Sequence, residues 1–565
     1  MSKLFHFLKT DFFLFVLVAF LIIFFQFNLI SHDSILDYDD KSLLGPIYDG
    51  IFPWTSGYLK QIQAGKILDF QPVRDLTYSF DVLIKKHFGI GIHHLHNCVV
   101  WIITGIFFYK ILSTLQIPRS TSIIFYFLFS FNPVLWNSIC WISARKHLLS
   151  SFFTIWATYI LLGFASKQKA SPKLIVTVII LYLLACLSQP INIGWPLFAL
   201  IFFIHGDYLS INFKKIKILF LSLFIISGIV LCANFYYYWS IYPKFSITPK
   251  FLNHSESEIS FRILSLGRHY FQSLIPFWPT PTPYYLGDIK NIIGIVVFVV
   301  FFYFFLKQKN KKIYYPWLLL SILPLIVVTL KMTNIFGYDT YLITTIFSCY
   351  ICIALFCSKL KIEKIKLLYL PLISLLISFM IISKRIPLAF ENSKKLFTFA
   401  YNQEATPFNL RSLAKYYIDD QDYDGAVDLA LRLIDWDPYQ ANVDEIFSKI
   451  IYFANKLSRN SKIELFEEKI RNYPDLVWAK YLLSCLELEE GNFQQSFNLI
   501  QSINPDYYGD FGSALPKIAA HLVKICHEAD ANCETILRNI STARKFHLWN
   551  EFDFNQQLKL YQLNQ

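Results

Sequence analysis

Apolar segments long enough to enter a lipid bilayer follow one another along the first 390 residues of this chain. Such runs are apolar on every side, whereas a helix at the surface of a soluble protein is apolar on one face only. Of the 565 residues, 55% are apolar and only 16% are charged, against about 25% charged residues in soluble domains. This composition predicts a chain that is largely solvated by lipid.

We expect eleven membrane spans. The N-terminal run MSKLFHFLKTDFFLFVLVAFLIIFFQFNLI resembles a signal peptide, but no small-residue cleavage site follows it, so it is interpreted as an uncleaved anchor. The fifth and sixth spans flank Ser188, Gln189 and Pro190, which form either a tight hairpin or the break of one helix. The predicted spans are 11–30, 93–112, 120–138, 146–165, 174–188, 191–206, 217–239, 290–306, 314–331, 340–358 and 366–384.

Lysine and arginine cluster in every second loop between these segments, for example in 167–173 and 307–312. The positive-inside rule places the basic set of loops in the cytoplasm. The N-terminus is then cytoplasmic, whereas the loops 31–92 and 240–289 and the C-terminal tail are extracytoplasmic. Because orientation accounts for these clusters, the net charge of +12 does not indicate nucleic acid, which is not expected as a partner.

The tail, residues 400–565, has the composition of a water-soluble helical domain. Within 408–505 there is a weak period of thirty-odd residues, seen in LAKYYIDDQDYDGAVDLALRLIDWDP and WAKYLLSCLELEEGNFQQSFNLIQSINP, with Pro438, Pro474 and Pro505 closing successive units. The pattern resembles tetratricopeptide repeats, in which stacked helix pairs bury a shared apolar face; a non-repetitive helical domain is the alternative. The fold prediction is all-α: a polytopic bundle over 1–390, then a solenoid suited to holding a protein or peptide.

Two motifs lie between Gln71 and Tyr159: QPVRDLTYSFDVLIKKHFGIGIHHLHN and FYFLFSFNPVLWNSICWISARKHLLSSFFTIWATY. They are followed in order by LYLLACLSQPINIGWPLFALIFFIHGDY, LSLGRHYFQSLIPFWPTPTPYY and FGYDTYLITTIFSCYICIAL. Most of residues 33–358 thereby resembles the membrane half of the transmembrane-and-tetratricopeptide-repeat proteins and their bacterial relatives. Those proteins belong to the GT-C superfamily of glycosyltransferases, which use polyprenyl-phosphate sugars.

The resemblance implies a mannosyl-type transfer onto Ser or Thr hydroxyls of secretory proteins. The donor would be a membrane lipid, and the acceptor an extracytoplasmic protein or peptide held by the tail. The expected location is the bacterial inner membrane or, in a eukaryote, the membrane of the endoplasmic reticulum.

An acidic pair in the first outer loop is the catalytic centre that the resemblance implies, and Asp39 and Asp40 match it. The acceptor hydroxyl must lose its proton as the glycosidic bond forms, and a carboxylate can accept that proton. The phosphate leaves as a stable anion, so no protonating acid is needed, and one direct displacement inverts the anomeric configuration. The alternative is a solvated acidic turn that also includes Asp37.

Two basic sites are predicted to hold the donor phosphate. Arg145 and Lys146 match a basic pair of the family and precede the fourth span; near the bilayer interface such side chains reach lipid phosphate, and simple snorkelling to headgroups is the alternative. Arg268 matches the arginine of the family's Gly-Arg-Tyr motif and is followed by His269. Arginine offers a planar fork for phosphate, although an interfacial helix would give a similar pattern.

A metal site is not expected at His93, His94 and His96, because three histidines this close on a helix cannot all face one ion. The resemblance instead makes His94 and Asn97 structural or cavity-lining residues. Asp339 matches an acidic position of the family, where it lines the cavity or caps a helix. No cofactor is expected beyond the lipid-linked sugar, and a divalent cation stays open although no convincing ligand set is present.

This chain also departs from its family at several donor-side positions. These departures are compatible with a changed donor or with a non-catalytic scaffold that recruits partners through its tail. A transporter is a weaker alternative, and synthesis of a glycolipid or envelope polysaccharide is a variant within the enzyme class. The departing residues are Gln71, Trp101, Asn132, Asn137, Gln189 and Thr340.

Overall fold

A computed structural model shows the chain as helices joined by turns and loops. It describes residues 2–36, 40–63, 71–167, 171–205, 213–240, 267–274, 279, 289–309, 311–331, 342–360, 362–403, 405–436 and 441–503. Every regular element within these ranges is a helix, so the all-α prediction is confirmed for them. The predicted site residues Asp39 and Asp339 lie outside the described residues.

The chain divides into two compact units, 1–404 and 405–565. Each of the eleven predicted apolar segments coincides with helix in the first unit. Its helices are α1 (Ser2–Phe25), α2 (Phe27–His32), α3 (Asp40–Tyr48), α4 (Ser56–Gln63), α5 (Pro72–Phe88), α6 (His93–Thr114), α7 (Arg119–Ser130), α8 (Pro133–Cys140), α9 (Arg145–Lys167), α10 (Pro172–Ser188), α11 (Trp195–His205), α12 (Phe213–Ser240), α13 (267–274), α14 (Ile289–Leu306), α15 (Tyr315–Lys331), α16 (Ile343–Cys357), α17 (Ile362–Ala389) and α18 (Ser393–Gln403).

Two stretches of helix among the described residues are long and apolar enough to cross a bilayer, namely α6 and Leu368–Ala389 within α17. Helices α7 and α8 meet at 51° and supply a third crossing if the bent pair counts as one span. Several other predicted spans coincide with shorter apolar helices. The structure therefore gives two or three spans by this measure, and the bundle of eleven stays a prediction.

The bend between α7 and α8 interrupts the helical ladder, and polar side chains bind the backbone groups released there. Asn132 caps α8, since its Oδ1 accepts hydrogen bonds from the two N–H groups that follow Pro133, at 3.0 and 3.4 Å. The indoles of Trp101 and Trp136 both donate to the carbonyl of Ser130, at 3.1 and 3.0 Å. An apolar surrounding tolerates irregular backbone only where it is hydrogen-bonded in this way.

Asp33 joins the two ends of the segment between α2 and α6, a set of contacts that we call the clasp. Asp33 ends α2 in a left-handed conformation, and its carboxylate binds Lys85 of α5 at 2.9 Å. The same carboxylate accepts the backbone N–H of His93, the first residue of α6, at 3.1 Å. A Cβ at Gly91 would lie 2.0 Å from this carboxylate, so only glycine leaves room for the clasp.

The second unit contains three helix pairs in its described part: α19 (Pro407–Asp419) with α20 (Tyr423–Trp436), α21 (Ala441–Phe453) with α22 (Arg459–Asn472), and α23 (Val477–Glu489) with α24 (Phe493–Gln501). The pairs begin 34 and 36 residues apart, at 407, 441 and 477.

Two contacts between successive helix pairs join residues that are 34 positions apart in sequence. Lys469 binds Asp435 at 2.5 Å, and Asp444 accepts the backbone N–H of Trp478 at 2.7 Å; each contact joins residues 34 positions apart. Apolar residues at helical spacing on α20, such as Ala426, Ala430 and Leu433, are buried.

Candidate functional site

In the described parts of the predicted outer loop 31–92, which are 31–36, 40–63 and 71–92, the chain forms helices α3, α4 and α5. Helix α5 begins with Pro72, whose missing N–H is no loss in a first turn, and it ends at Gly89 in the left-handed conformation (φ 69°). Asp75 lies in its first turn and Lys85 in its last, which complements the helix dipole. These signals set the two ends of α5, and Asp81 joins the helix to the first turns of α6 and α9.

Asp40, the described member of the predicted acidic pair, is buried at the start of α3. Its Oδ1 accepts hydrogen bonds from the backbone N–H of Ser143 at 2.9 Å and from the Ser143 hydroxyl. Its Oδ2 accepts the N–H of Leu36 at 3.1 Å. Asp40 therefore holds the turn that precedes α9.

Arg145 is the first residue of α9 and is completely buried. Its Nη1 donates to Asp81, its Nε to Asn97 Oδ1 at 2.7 Å, and its Nη2 to the carbonyl of His93 at 2.7 Å. The guanidinium also lies over the ring of Tyr78, 4.8 Å from its centroid. All three guanidinium nitrogens of Arg145 thus donate hydrogen bonds to groups of the protein itself.

Asp81, on α5, is the counter-ion of Arg145, and sequence reasoning did not single it out. It is completely buried and also contacts His96 Nδ1 at 2.9 Å and His93 Nδ1 at 3.4 Å. Burial alone would raise the pKa of Asp81, but the charge of Arg145 and the hydrogen bond from His96 outweigh it and hold the pKa below its usual value. The pair is therefore ionised at neutral pH.

One turn brings the predicted carboxylate and the predicted cation together. Ser143 binds Asp40, and Arg145 follows two residues later, a stretch of chain that spans at most about 7 Å. The hydroxyl of Tyr78 donates to the carbonyl of Ile142 at 2.6 Å and supports the same turn. We call residues 142–145 the site turn.

The other predicted phosphate ligands occupy different environments. Lys146 follows the site turn and is half-buried. Arg268 and His269 are completely buried in α13, which packs closely on α14, because a Cβ at Gly294 would lie 1.9 Å from the carbonyl oxygen of Gly267. Their predicted contact with a donor phosphate stays a prediction.

Asn97 and His94, predicted to line a cavity, connect α6 to its neighbours. The Asn97 amide donates to the carbonyls of Ile139 and Trp141, at 3.1 and 3.3 Å, and so caps the end of α8. His94 Nε2 lies 2.9 Å from the carbonyl oxygen of Ser34. Among the residues that the structure describes, no group of three or more His, Cys, Asp or Glu side chains could hold a metal ion.

Two departures from the family pattern are neighbours in space. Gln71 donates an amide hydrogen bond to Gln189, across 118 residues of sequence, and Arg74 Nη1 donates to Gln71 Oε1 at 3.1 Å. Arg74 in turn binds Asp75, 2.7 Å from its Nε. Both departures are thus neutral amides that bind each other.

No protein-family model, curated protein or solved structure matches this chain. The family resemblance accordingly rests on the sequence motifs alone, and the geometry of the site turn stands beside it as a separate observation.

Proposed function

We propose that this chain is a polytopic membrane glycosyltransferase of the GT-C type. It would move a mannose-like sugar, with inversion, from a polyprenyl-phosphate donor to Ser or Thr hydroxyls of an extracytoplasmic protein. The observation that carries the proposal is the site turn, which binds Asp40, the neighbour of Asp39 in the acidic pair, through Ser143 and leads two residues later into Arg145, the partner of Asp81. Proton acceptance and anion stabilisation are the two tasks that this transfer requires.

The contacts suggest different tasks within the acidic pair. Three hydrogen bonds to Asp40 occupy both of its carboxylate oxygens, so it serves best as the residue that positions the site turn. We therefore assign proton acceptance to Asp39. Of the predicted phosphate ligands at this turn, Lys146, which is half-buried, would contact the donor phosphate. The buried Arg145, held in orientation by Asp81, would add its positive charge from behind.

The membrane and tail assignments belong to the same proposal. Helix is present at all eleven predicted apolar segments, which supports a multi-pass protein. The proposed cytoplasmic N-terminus rests on the basic loops. The 34-residue offset of the contacts Asp435–Lys469 and Asp444–Trp478 supports a tetratricopeptide-like stack. Such a stack, placed outside the cytoplasm, would present the acceptor protein.

A specific observation favours a second candidate, a non-catalytic scaffold. The groups that bind Asp40 and Arg145 belong to the protein, and the Gln71–Gln189 pair is neutral. In a scaffold these contacts would only hold α5 and α9 in place, and the tail alone would act, by recruiting its partner.

Separate Asp39→Asn and Asp40→Asn variants distinguish the glycosyltransferase from the non-catalytic scaffold. Membranes that contain the full chain are supplied with a polyprenyl-phosphate mannose and a Ser/Thr-rich acceptor, and transferred sugar is measured. We expect Asp39→Asn to lower transfer by about 100-fold or more, the usual contribution of a positioned base. Asp49→Asn, an exposed carboxylate of the same outer segment, is the matched control.

Protease protection of the tail shows whether each variant is inserted normally. Unchanged transfer in both variants, with normal insertion, would reject the enzyme and leave the scaffold.

A further inference from the structure

Helix α5 is amphipathic in the reverse sense to a helix on a soluble protein. Its inner face buries Arg74, Asp75 and Asp81, whereas Leu76 and Phe80, four residues apart, are 51% and 57% exposed. A water-facing helix places its apolar stripe inward. The exposed stripe of α5 therefore needs an apolar neighbour outside the protein.

The apolar surface continues towards a candidate membrane span. Beyond the end of α5, Phe88 and Ile90 are 73% and 60% exposed, and α6 begins at His93. Helix α6 is long and apolar enough to cross a bilayer, and it exposes Val99 and Ile103 on its outer side. The outward apolar residues thus run in sequence from α5 into α6, whose own outer side would meet lipid.

An aromatic residue of the same outer segment adds independent support. Trp54, between α3 and α4, is 57% exposed and stacks on Phe52 with ring centroids 4.8 Å apart. Tryptophan is enriched where a membrane meets water, since its ring is apolar and its N–H is polar. Lys86 is exposed in the last turn of α5 and can extend towards headgroups.

We propose that α5 lies flat in the interface of the bilayer, with Leu76 and Phe80 among the upper acyl segments and its ionic face turned towards α6 and α9. The helix has 17 residues and would cover about 25 Å of membrane surface. Its inner face binds Arg145 through Asp81, so lipid would approach this cation to about one helix diameter, roughly 10 Å. The meaning of that approach for catalysis rests on the proposed function; the lipid contact itself does not.

Photo-crosslinking of the full chain in phosphatidylcholine nanodiscs tests the contact. The photoreactive residue p-benzoylphenylalanine replaces Phe80, a conservative aromatic exchange at an exposed position, and lipid adducts are measured by mass spectrometry. Ile103 of α6 is the positive control, and Glu467, exposed on the second unit, is the negative control. We expect adduct yields at position 80 similar to those at position 103 and several-fold above those at position 467.

Adducts between position 80 and another segment of this chain, or with a second copy, would overturn the proposal, as would a yield no higher than that at position 467. The readout needs no sugar donor. Lipid adducts together with absent sugar transfer would therefore reject the enzyme and keep the interfacial helix. Sugar transfer without lipid adducts would reject the interfacial helix and keep the enzyme.

Discussion

Helices α5 and α20 are similar in length and opposite in construction. Helix α20 buries Ala426 and Leu433 and exposes Asp428 and Asp435, as expected in water. Helix α5 instead buries the charged residues Arg74, Asp75 and Asp81 and exposes Leu76 and Phe80. The pattern of α20 is typical of a helix that faces water, and that of α5 fits the lipid contact proposed above.

The interiors of these helices also differ in how they tolerate change. Removal of a methyl group from an apolar core costs the lost burial and a small cavity. Removal of one partner of a buried ion pair leaves a charge without compensation, which costs about 3–5 kcal/mol. The interior around α5 should therefore be the more sensitive of the two.

The largest effect is expected for Asp81→Asn. The substitution leaves the buried guanidinium of Arg145 without its counter-ion and should lower the free energy of unfolding by about 4 kcal/mol. Pulse proteolysis of the full chain in detergent micelles measures this loss. In the double variant Asp81→Asn/Arg145→Met, no buried charge is left alone, so at least half of the loss should return. Strictly additive losses would show that the pair is not coupled.

The same leucine-to-alanine substitution on each helix compares the buried apolar face of α20 with the exposed apolar face of α5. Leu433 of α20 is completely buried, whereas Leu76 of α5 is 51% exposed. We expect Leu433→Ala to cost about 3 kcal/mol and Leu76→Ala less than about 1 kcal/mol in the same micelles. Equal losses at the two sites would mean that the outer face of α5 is covered by protein.

A smaller, pH-dependent effect is expected in the second unit. Burial raises the pKa of Asp444 to about 6, although the N–H groups of Trp478 and Ala479 oppose the change. Because the folded state binds the proton more tightly than the unfolded state, stability is greatest below about pH 4 and falls as pH rises through 6. The loss between pH 4 and 7 should be about 2 kcal/mol.

Hydrogen exchange of the α21 and α23 amides in the full chain measures this loss. The Asp444→Asn variant keeps an oxygen acceptor without the titration, so its exchange should lack this pH component. An identical pH dependence in the variant would assign the effect to another group.

Sequence alone located the helices well, because an apolar run of this length leaves few alternatives. It also selected Asp40 and Arg145, which the site turn brings together. Sequence alone did not indicate Asp81 or the exposed apolar face of α5, since a loop between two predicted spans is not expected to contain an amphipathic helix. The signal was present: Leu76 and Phe80 alternate with Arg74 and Asp81 at helical spacing.

The residues that depart from the family pattern take part in contacts that the sequence does not indicate. Asn132 departs from the family pattern, yet it caps α8 at the bend after α7. Gln71 and Gln189 bind each other over a long sequence distance, which no local pattern could indicate. Long-range pairings of this kind depend on the packed fold and not on the neighbours along the chain.

The clasp at Asp33 has a consequence for the order of assembly during synthesis. Its partners, Lys85 and the N–H of His93, lie 52 and 60 residues further along the chain. Helices α3, α4 and most of α5 lie between Asp33 and these partners, so both contacts of Asp33 can form only after the ribosome has delivered the start of α6. The segment between α2 and α6 is thus closed only once the start of α6 has been made, and a chain interrupted before that point would lack both the His93 contact of Asp33 and the His96 contact of Asp81.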